Sequence, residues 1–422
     1  MSIKISYNNL LVGKLVKHKH QFHFKYEDSF LNSGFDLSPI HMPLAKSSSK
    51  IYSFPHLNPN TFYGLPGLLS DSLPDYFGNA VLNTWINKNG KDIQSFDSIE
   101  KLNYLGKRGM GALEFSPEDQ ILFESDDKRV HLNKLSEISQ QITSQKDLGE
   151  TKMSDALIQM ADIGTIAGGA RAKATVSINN TTGQIRLKHS KDDKDFYSYI
   201  VKFDTVSEIT NASTEICQIE YAYYKMVRKA GIDIMTSKLI EEYGSVHFAT
   251  KRFDRTNAGN KVHTQSLCAI GHYDFRDFRQ NSYENLFYIA RALKTDYRDR
   301  EQFFRLMILN VLSRNQNDHS KNFSFLMKKD GKWKACPAYN VNFNYDPIDP
   351  FKSFHKMSIN GKFKAFTRND LIELGRQNSI NRPEKIFEEV KEAVSLFLQI
   401  ARNIGVSRNI REYIYGTFRM DL

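Results

Sequence analysis

Arg314-Asn315-Gln316-Asn317-Asp318-His319-Ser320-Lys321-Asn322 gathers amide, carboxylate, imidazole and ammonium groups into nine consecutive residues. Asp318 and His319 are candidates for acid/base work. Lys321 suits a phosphate contact, and Asn322 an oxygen ligand for Mg2+. The plainer reading of the same stretch is a polar surface loop tied by local hydrogen bonds. Its flanks argue for the first. Phe303, Phe304, Leu306, Met307, Leu309, Val311 and Leu312 follow the spacing of a buried helix. Phe323 to Met327 reads as a strand, ended by the turn signal Asp330-Gly331. A polar loop held between buried elements is where an enzyme keeps groups that must not move.

Three other stretches carry chemistry. Gly164-Thr165-Ile166-Ala167-Gly168-Gly169-Ala170-Arg171-Ala172-Lys173 places adjacent glycines before a strand. Backbone N–H groups there can approach a phosphate, and Arg171 and Lys173 can add charge. No Gly-Lys-Ser/Thr follows, so the Walker pattern is absent, and a plain flexible turn is the competing reading. Lys202 lies inside the apolar run Tyr199-Ile200-Val201-Lys202-Phe203, where it must snorkel or meet an anion. A protein-kinase lobe uses such a lysine on nucleotide phosphates and pairs it with a carboxylate of the next helix. Glu215 and Glu220 fall there. An exposed strand lysine is the alternative. His247 to Arg255 would join two lobes, with the backbone of Lys251-Arg252-Phe253 near an adenine. Alternatively, Arg252, Asp254 and Arg255 form a surface salt-bridge cluster. Trp333 to Asn340 follows the Asp330-Gly331 turn, and kinases place a metal-binding Asp after such a hairpin. Here the position is Asn340, and Tyr339-Asn340 alone would be only a turn.

The elements that position these groups divide the chain. Ile3–Val12 and Gln21–Tyr26 alternate as strands, and Tyr76–Ile86 is helical. Residues 125–155 are polar and helix-prone. Ala174–Ile178 and Ile185–His189 flank a Gly-containing hairpin loop, and Tyr197–Phe203 and Val246–Arg252 are further strands. A helix begins near Ser213/Thr214 and stops at Gly231. Asn285–Leu293, Gln302–Leu312 and Glu384–Ala401 are helical. The expected fold is α+β, with an accessory unit over 1–120, a β-rich lobe over 121–255 and a helical lobe over 256–422.

Composition bounds the rest. At 422 residues, 40% apolar and 25% charged, the chain is an ordinary globular protein. Cys217, Cys268 and Cys336 are odd in number, widely spaced and without metal or disulfide pattern, which points to the cytoplasm. Lys4, Asn8 and Asn9 interrupt any leader-like run, and no stretch approaches a membrane span. The net charge of +10, with Lys14, Lys17, His18, Lys19 and His20 clustered, suits nucleic acid, an acidic partner or simply a solvated face.

Taken together the motifs resemble the HipA family of bacterial toxin–antitoxin Ser/Thr kinases. The resemblance runs nearly end to end. It is carried by Gly67 to Asp75, Gly106 to Phe115, Gly168 to Lys173, Val201-Lys202-Phe203, Arg252 to Arg255, Asn317 to Asn322 and Pro337 to Asn340. It implies a two-lobed kinase-like fold with an N-terminal accessory unit, and ATP and Mg2+ as ligands. It implies a small helix-turn-helix antitoxin bound to operator DNA as partner, and an aminoacyl-tRNA synthetase as substrate. By the same resemblance, Gly168, Gly169, Ala170, Arg171, Ala172 and Lys173 form the phosphate loop, and Lys202 is the nucleotide lysine. Lys251, Arg252 and Phe253 face adenine. His319, Lys321 and Tyr339 complete the nucleotide site, with Asn322 and Asn340 as metal ligands.

Two positions depart from the family pattern. Its catalytic base is an Asp where this chain has Asn317, and its second metal ligand an Asp where this chain has Asn340. An amide does not take up a substrate hydroxyl's proton as a carboxylate does, and losing a general base costs about 10²–10⁴-fold in rate. Mg2+ sites also prefer carboxylates to neutral amides. Ile166 stands where many relatives carry a serine that can be phosphorylated, with Thr165 beside it. Asp318 is a neighbouring carboxylate, but its side chain should point elsewhere. The expectation is a toxin kinase with impaired activity, either a silenced form or a natural pseudokinase that works as a binding module.

Overall fold

Alternation of apolar and polar residues builds the first sheet. Ile3, Ile5 and Tyr7 of β1 (Ser2–Tyr7) point inward. β1 lies between β2 (Leu10–His18) and β4 (Leu113–Ser116), and β2 pairs with β3 (Gln21–Tyr26), all antiparallel. The single strand expected over Ile3–Val12 is therefore a hairpin. Asn8 and Asn9 turn the chain with φ of 48° and 64°, left-handed values that asparagine tolerates better than most residues. Lys14, His18, Lys19 and His20 face solvent, and Lys17 pairs with Asp97 at 2.7 Å. The computed structural model describes residues 2–88, 90, 96–117, 131–143, 160–161, 163, 171–187, 195–204 and 214–422.

The second sheet runs in the order β6-β5-β7-β9-β8. It comprises β5 (Lys173–Asn179), β6 (Ile185–Arg186), β7 (Phe196–Lys202), β8 (Ser237–Glu242) and β9 (Ser245–Lys251). Gly183, at φ 74°, closes the expected β5–β6 hairpin, and Asn179 Oδ1 accepts from the N–H groups of Thr181 and Thr182. One face buries Ala174, Val176, Ile178, Tyr199 and Val201. Against it pack Phe77, Val81, Leu82 and Trp85 of the Tyr76–Lys88 helix, and Leu132 and Leu135 of the Leu132–Thr143 helix. A second core joins the first sheet to the helical lobe.

The Ile216–Lys229 helix begins two residues after Thr214 rather than at a Ser/Thr cap. Glu215 precedes it at φ 53°, and its Oε2 accepts from the Ser407 N–H at 2.8 Å. It ends as expected, with Gly231 at φ 69° and the Ile232 N–H returning to the Val227 carbonyl. The helical lobe holds Tyr283–Ala292, Tyr297–Leu312, Arg368–Gln377, Pro383–Ser395, Phe397–Ile404 and Arg408–Gly416. The run expected as one helix over Glu384–Ala401 breaks at Leu396. Its N–H shifts to the Ala393 carbonyl, and Phe397 then buries its ring against Tyr223 and Phe418. A small sheet of β10 (Thr264–Ser266), β11 (Ser324–Met327) and β12 (Trp333–Ala335) carries the hairpin around Gly331. No helix among the described residues is long and apolar enough to cross a membrane.

A buried clasp ties the first sheet's loop to the chain after β9. Asp254 is fully buried. Arg252 holds it through two hydrogen bonds of 2.9 and 2.8 Å, and Arg255 Nη1 donates at 2.8 Å. The Gly111 N–H donates to the same carboxylate, while Arg255 reaches back to the Gly109 and Gly111 carbonyls. Burial would raise the carboxyl, but Arg252 and Arg255 more than reverse this and hold it well below the usual range. Removing the carboxylate strands two buried guanidiniums. Asp254→Ala should cost about 3–5 kcal/mol in denaturant unfolding. Because the folded carboxyl is depressed, its contribution is complete above about pH 4 and is lost as pH falls below that. The gap between wild type and variant should therefore narrow in acid.

Candidate nucleotide and phosphotransfer site

The nine-residue loop is set by the helix before it. Asp296 caps the Tyr297–Leu312 helix by accepting from the Asp299 N–H at 2.9 Å, and every residue from Leu306 to Leu312 is buried. Arg314 then turns the chain at φ 58°, anchored by Nε to the Thr417 carbonyl at 2.7 Å. The loop ends in the single turn Ser320–Asn322, which leads into β11.

Across the cleft stands Lys202. Its ammonium bonds to Glu220 Oε1 and donates to Asn340 Oδ1 at 2.9 Å. Asn340 Nδ2 donates to Asn322 Oδ1 at 3.1 Å, and Asn322 Nδ2 donates to the Asn317 carbonyl at 2.6 Å. One hydrogen-bonded chain thus runs from the Ile216–Lys229 helix, through β7, to both expected metal ligands and the expected base position. Of the two glutamates proposed for Lys202, Glu220 meets it, while Glu215 lies at the helix start against Ser407. Arg171 shares Glu220, with Nη1 at 2.9 Å from Oε2, and also donates through Nη2 to the Phe203 carbonyl at 2.8 Å. Lys173 is buried directly opposite Lys202 on the neighbouring strand. Burial, and then the Lys202 charge, pulls its pKa down to about 7.

Asp318 is not available as a base. It is 1% exposed and turned into the helical lobe. It accepts from Tyr283 Oη at 2.8 Å and the Lys356 N–H at 2.7 Å, and lies 2.9 Å from His355 Nδ1. Burial pushes its carboxyl up, but His355 and these donors outweigh that and leave it below the usual range. Its role is to hold the loop from behind. His319 Nδ1 accepts from the Lys321 N–H at 3.2 Å, and burial followed by the Lys321 charge lowers its pKa to about 4.

Lys321 is engaged by a residue that sequence reading did not place at the site. Its Nζ donates to Asp75 Oδ1 at 2.6 Å. Burial opposes its charge, yet Asp75 and its neighbours raise its pKa above the ordinary value. Pro74-Asp75 reads locally as a turn, and no local signal joins it to a lysine 246 positions away. Tyr339 Oη donates to the Lys321 carbonyl at 2.7 Å, and its ring meets Phe253 at 5.4 Å. Arg252 is spent on Asp254. Lys251 lies over the Tyr197 ring at 3.8 Å and donates to Asn257. The Arg252 N–H is bonded to the Ser198 carbonyl. Gly168, Gly169 and Ala170 lie outside the described residues.

The groups present can be tested against the ligands the motifs imply. An anionic phosphate fits. Arg171, Lys173 and Lys202 crowd around one carboxylate, and Arg171 Nε is buried without a hydrogen-bond partner. A divalent cation does not fit. Asn322 and Asn340 offer neutral amide oxygens already engaged with an N–H and an ammonium. Among the described residues, no group of three His, Cys, Asp or Glu side chains is placed to hold a metal ion.

A β-rich lobe whose strand lysine pairs with a helix glutamate, facing a helical lobe that presents a polar loop, defines a protein-kinase-like fold. The chain belongs to the HipA family. It matches the HipA-like C-terminal domain over residues 165–397 and the HipA N-terminal domain over residues 3–116. Among solved structures it resembles the HipA of the Shewanella oneidensis MR-1 toxin–antitoxin system, determined with HipB and operator DNA. The TM-score is 0.68 at 15% identity, covering 98% of this chain and 94% of that one. A weaker likeness is to the Helicobacter pylori proinflammatory kinase CtkA, with TM-score 0.34, 12% identity and coverage of 53% and 88% respectively. No curated protein sequence matches the chain.

The imidazole of His319 supplies a pH test. Its folded pKa is depressed, so the unfolded chain takes up this proton first as pH falls. Stability from the neutral ring is complete above about pH 6.5 and is lost as pH falls toward 4. The melting temperature of His319→Gln should therefore decline less than that of the wild type over this window.

Proposed function

We propose that this chain is the kinase-like toxin of a toxin–antitoxin pair, that it binds ATP between its lobes, and that its phosphoryl transfer is impaired. The observation that carries the reading is the chain of contacts from Glu220 through Lys202 and Asn340 to Asn322 and Asn317. Lys202 and Arg171 would meet the phosphates by charge-assisted hydrogen bonds, with Glu220 fixing their positions. Asn317 would hold a substrate hydroxyl by its amide without taking up the proton, and that is the step the sequence impairs. Family membership supports the role as a toxin. The Shewanella protein of similar fold was solved with HipB and operator DNA. The partners proposed here are accordingly a small helix-turn-helix antitoxin and, through it, operator DNA, in the cytoplasm. An aminoacyl-tRNA synthetase is the substrate proposed for a form with both carboxylates.

A second reading is a pseudokinase that acts as a binding module. It is favoured by Asn340, whose oxygen and nitrogen both find complementary partners. Calorimetric titration with ATP, followed by a phosphate-transfer assay, separates the readings. ATP should bind the wild type, and Lys202→Ala should weaken it by about 10- to 100-fold, the loss of a charge-assisted hydrogen bond of roughly 1.5–3 kcal/mol. Asn317→Asp combined with Asn340→Asp should restore autophosphorylation or growth arrest. A folded, ATP-binding double variant that stays silent would sink the kinase reading and leave the binding module.

A further inference from the structure

The two amides at the cleft are oriented by partners that leave no choice. The Asn317 carbonyl can only accept, so the Asn322 atom 2.6 Å from it is Nδ2, and Oδ1 must face Asn340. The Lys202 ammonium can only donate, so Asn340 turns Oδ1 to it at 2.9 Å and Nδ2 toward Asn322. The contact between them is therefore a true N–H···O bond of 3.1 Å. A carboxylate at position 340 would instead place two acceptor oxygens face to face, an arrangement that repels unless a cation lies between them. The Asn340 backbone, at φ 55°, is also a conformation asparagine accepts.

We propose that the Asn340–Asn322 hydrogen bond takes the place of a divalent cation, so that this cleft binds a metal-free polyphosphate anion. This rests on the nucleotide reading given above and deepens it. The phosphate charge is met by protein cations. Lys202 and Arg171 already surround Glu220, and the buried Arg171 Nε has no partner to lose. Lys173, on the adjacent strand, takes up a proton more readily once an anion is near. The ligand class is the free nucleoside triphosphate, and Asn340 is the residue that removes the need for the magnesium complex.

The test has two arms. In the first, ATP is titrated into the full chain with EDTA and then with excess Mg2+. Affinities within a few-fold of each other are expected, and a loss of about tenfold or more on chelation overturns the proposal. In the second, Mn2+ alone is titrated into the full chain and followed by its paramagnetic resonance signal. No site that depends on residue 340 is expected in the wild type, whereas Asn340→Asp should gain one, together with a preference of about tenfold or more for ATP with Mg2+. Mn2+ binding to the wild type that Asn340→Ala abolishes overturns the proposal. So does an Asn340→Asp chain that folds and remains blind to Mn2+. If the wild type binds ATP under neither condition, the nucleotide reading fails, and the Mn2+ arm still decides whether the amide pair has displaced the cation. Should Asn340→Asp not fold, the wild-type measurements and Asn340→Ala decide alone.

Discussion

The buried contact between Lys202 and Glu220 is the constraint to which the cleft answers. Both side chains are nearly inaccessible, at 9% and 3% exposure. A pair so placed contributes little net stability, because desolvating two charges offsets most of their attraction. Its consequence is positional. Either charge left alone in that setting would be strongly unfavourable, so β7 and the Ile216–Lys229 helix are held in one relation. Arg171 reinforces this by bonding to the second oxygen of the same carboxylate. Cys217, one turn earlier on the helix, lies 2.7 Å from Arg171 Nη2. The helix, the strand and the residue after the glycine stretch therefore share a single anchoring anion, and displacement of any one is felt by the other two.

The helical lobe answers with a loop fixed from two sides. From behind, Asp318 binds Tyr283, His355 and the Lys356 N–H, while Asn310 links Tyr283 Oη to Asn315. From the front, the N-terminal unit reaches across. Asp75 holds Lys321, and Asp71 accepts from both the N–H and the hydroxyl of Ser266, each at 2.7 Å. The accessory unit is thus part of the site's support, and its main core is continuous with that of the helical lobe. The Asp254 clasp adds a third point of attachment for the same unit.

What the sequence disclosed and what it withheld divide along physical lines. Lys202 was legible because a charge inside an apolar strand is costly without an anion, and of the two glutamates expected on the next helix, Glu215 and Glu220, it is Glu220 that meets it. The Gly231 stop and the Gly183 turn were legible because their backbone demands are local. The break at Leu396 was not, since the spacing of apolar residues runs smoothly through it and only burial of Phe397 against Tyr223 and Phe418 fixes the change of direction. The Asn8-Asn9 turn was missed for a related reason, because the strands on either side carry similar alternation. Asp75 and Asp254 show the harder limit. Asp75 meets Lys321, and Asp254, although its partners Arg252 and Arg255 are neighbours in sequence, is buried through a tie to the distant Gly111 N–H. No window of neighbouring residues encodes such a pairing.

The two asparagines at the cleft look alike in the sequence, each a neutral amide. In hydrogen bonding they differ. Asn317 lends the loop its backbone carbonyl, which any residue could supply, so the amide side chain is not required for the contact to Asn322. Asn340 lends both ends of its amide, and a carboxylate could satisfy only the Lys202 end. The two asparagines therefore play different parts, one contributing its main chain and the other both ends of its amide. A carboxylate at 317 would leave the relay intact, whereas one at 340 would lose the bond from Asn340 to Asn322. The contacts that lead from Lys202 to the loop therefore pass through both ends of the Asn340 amide and on through Asn322.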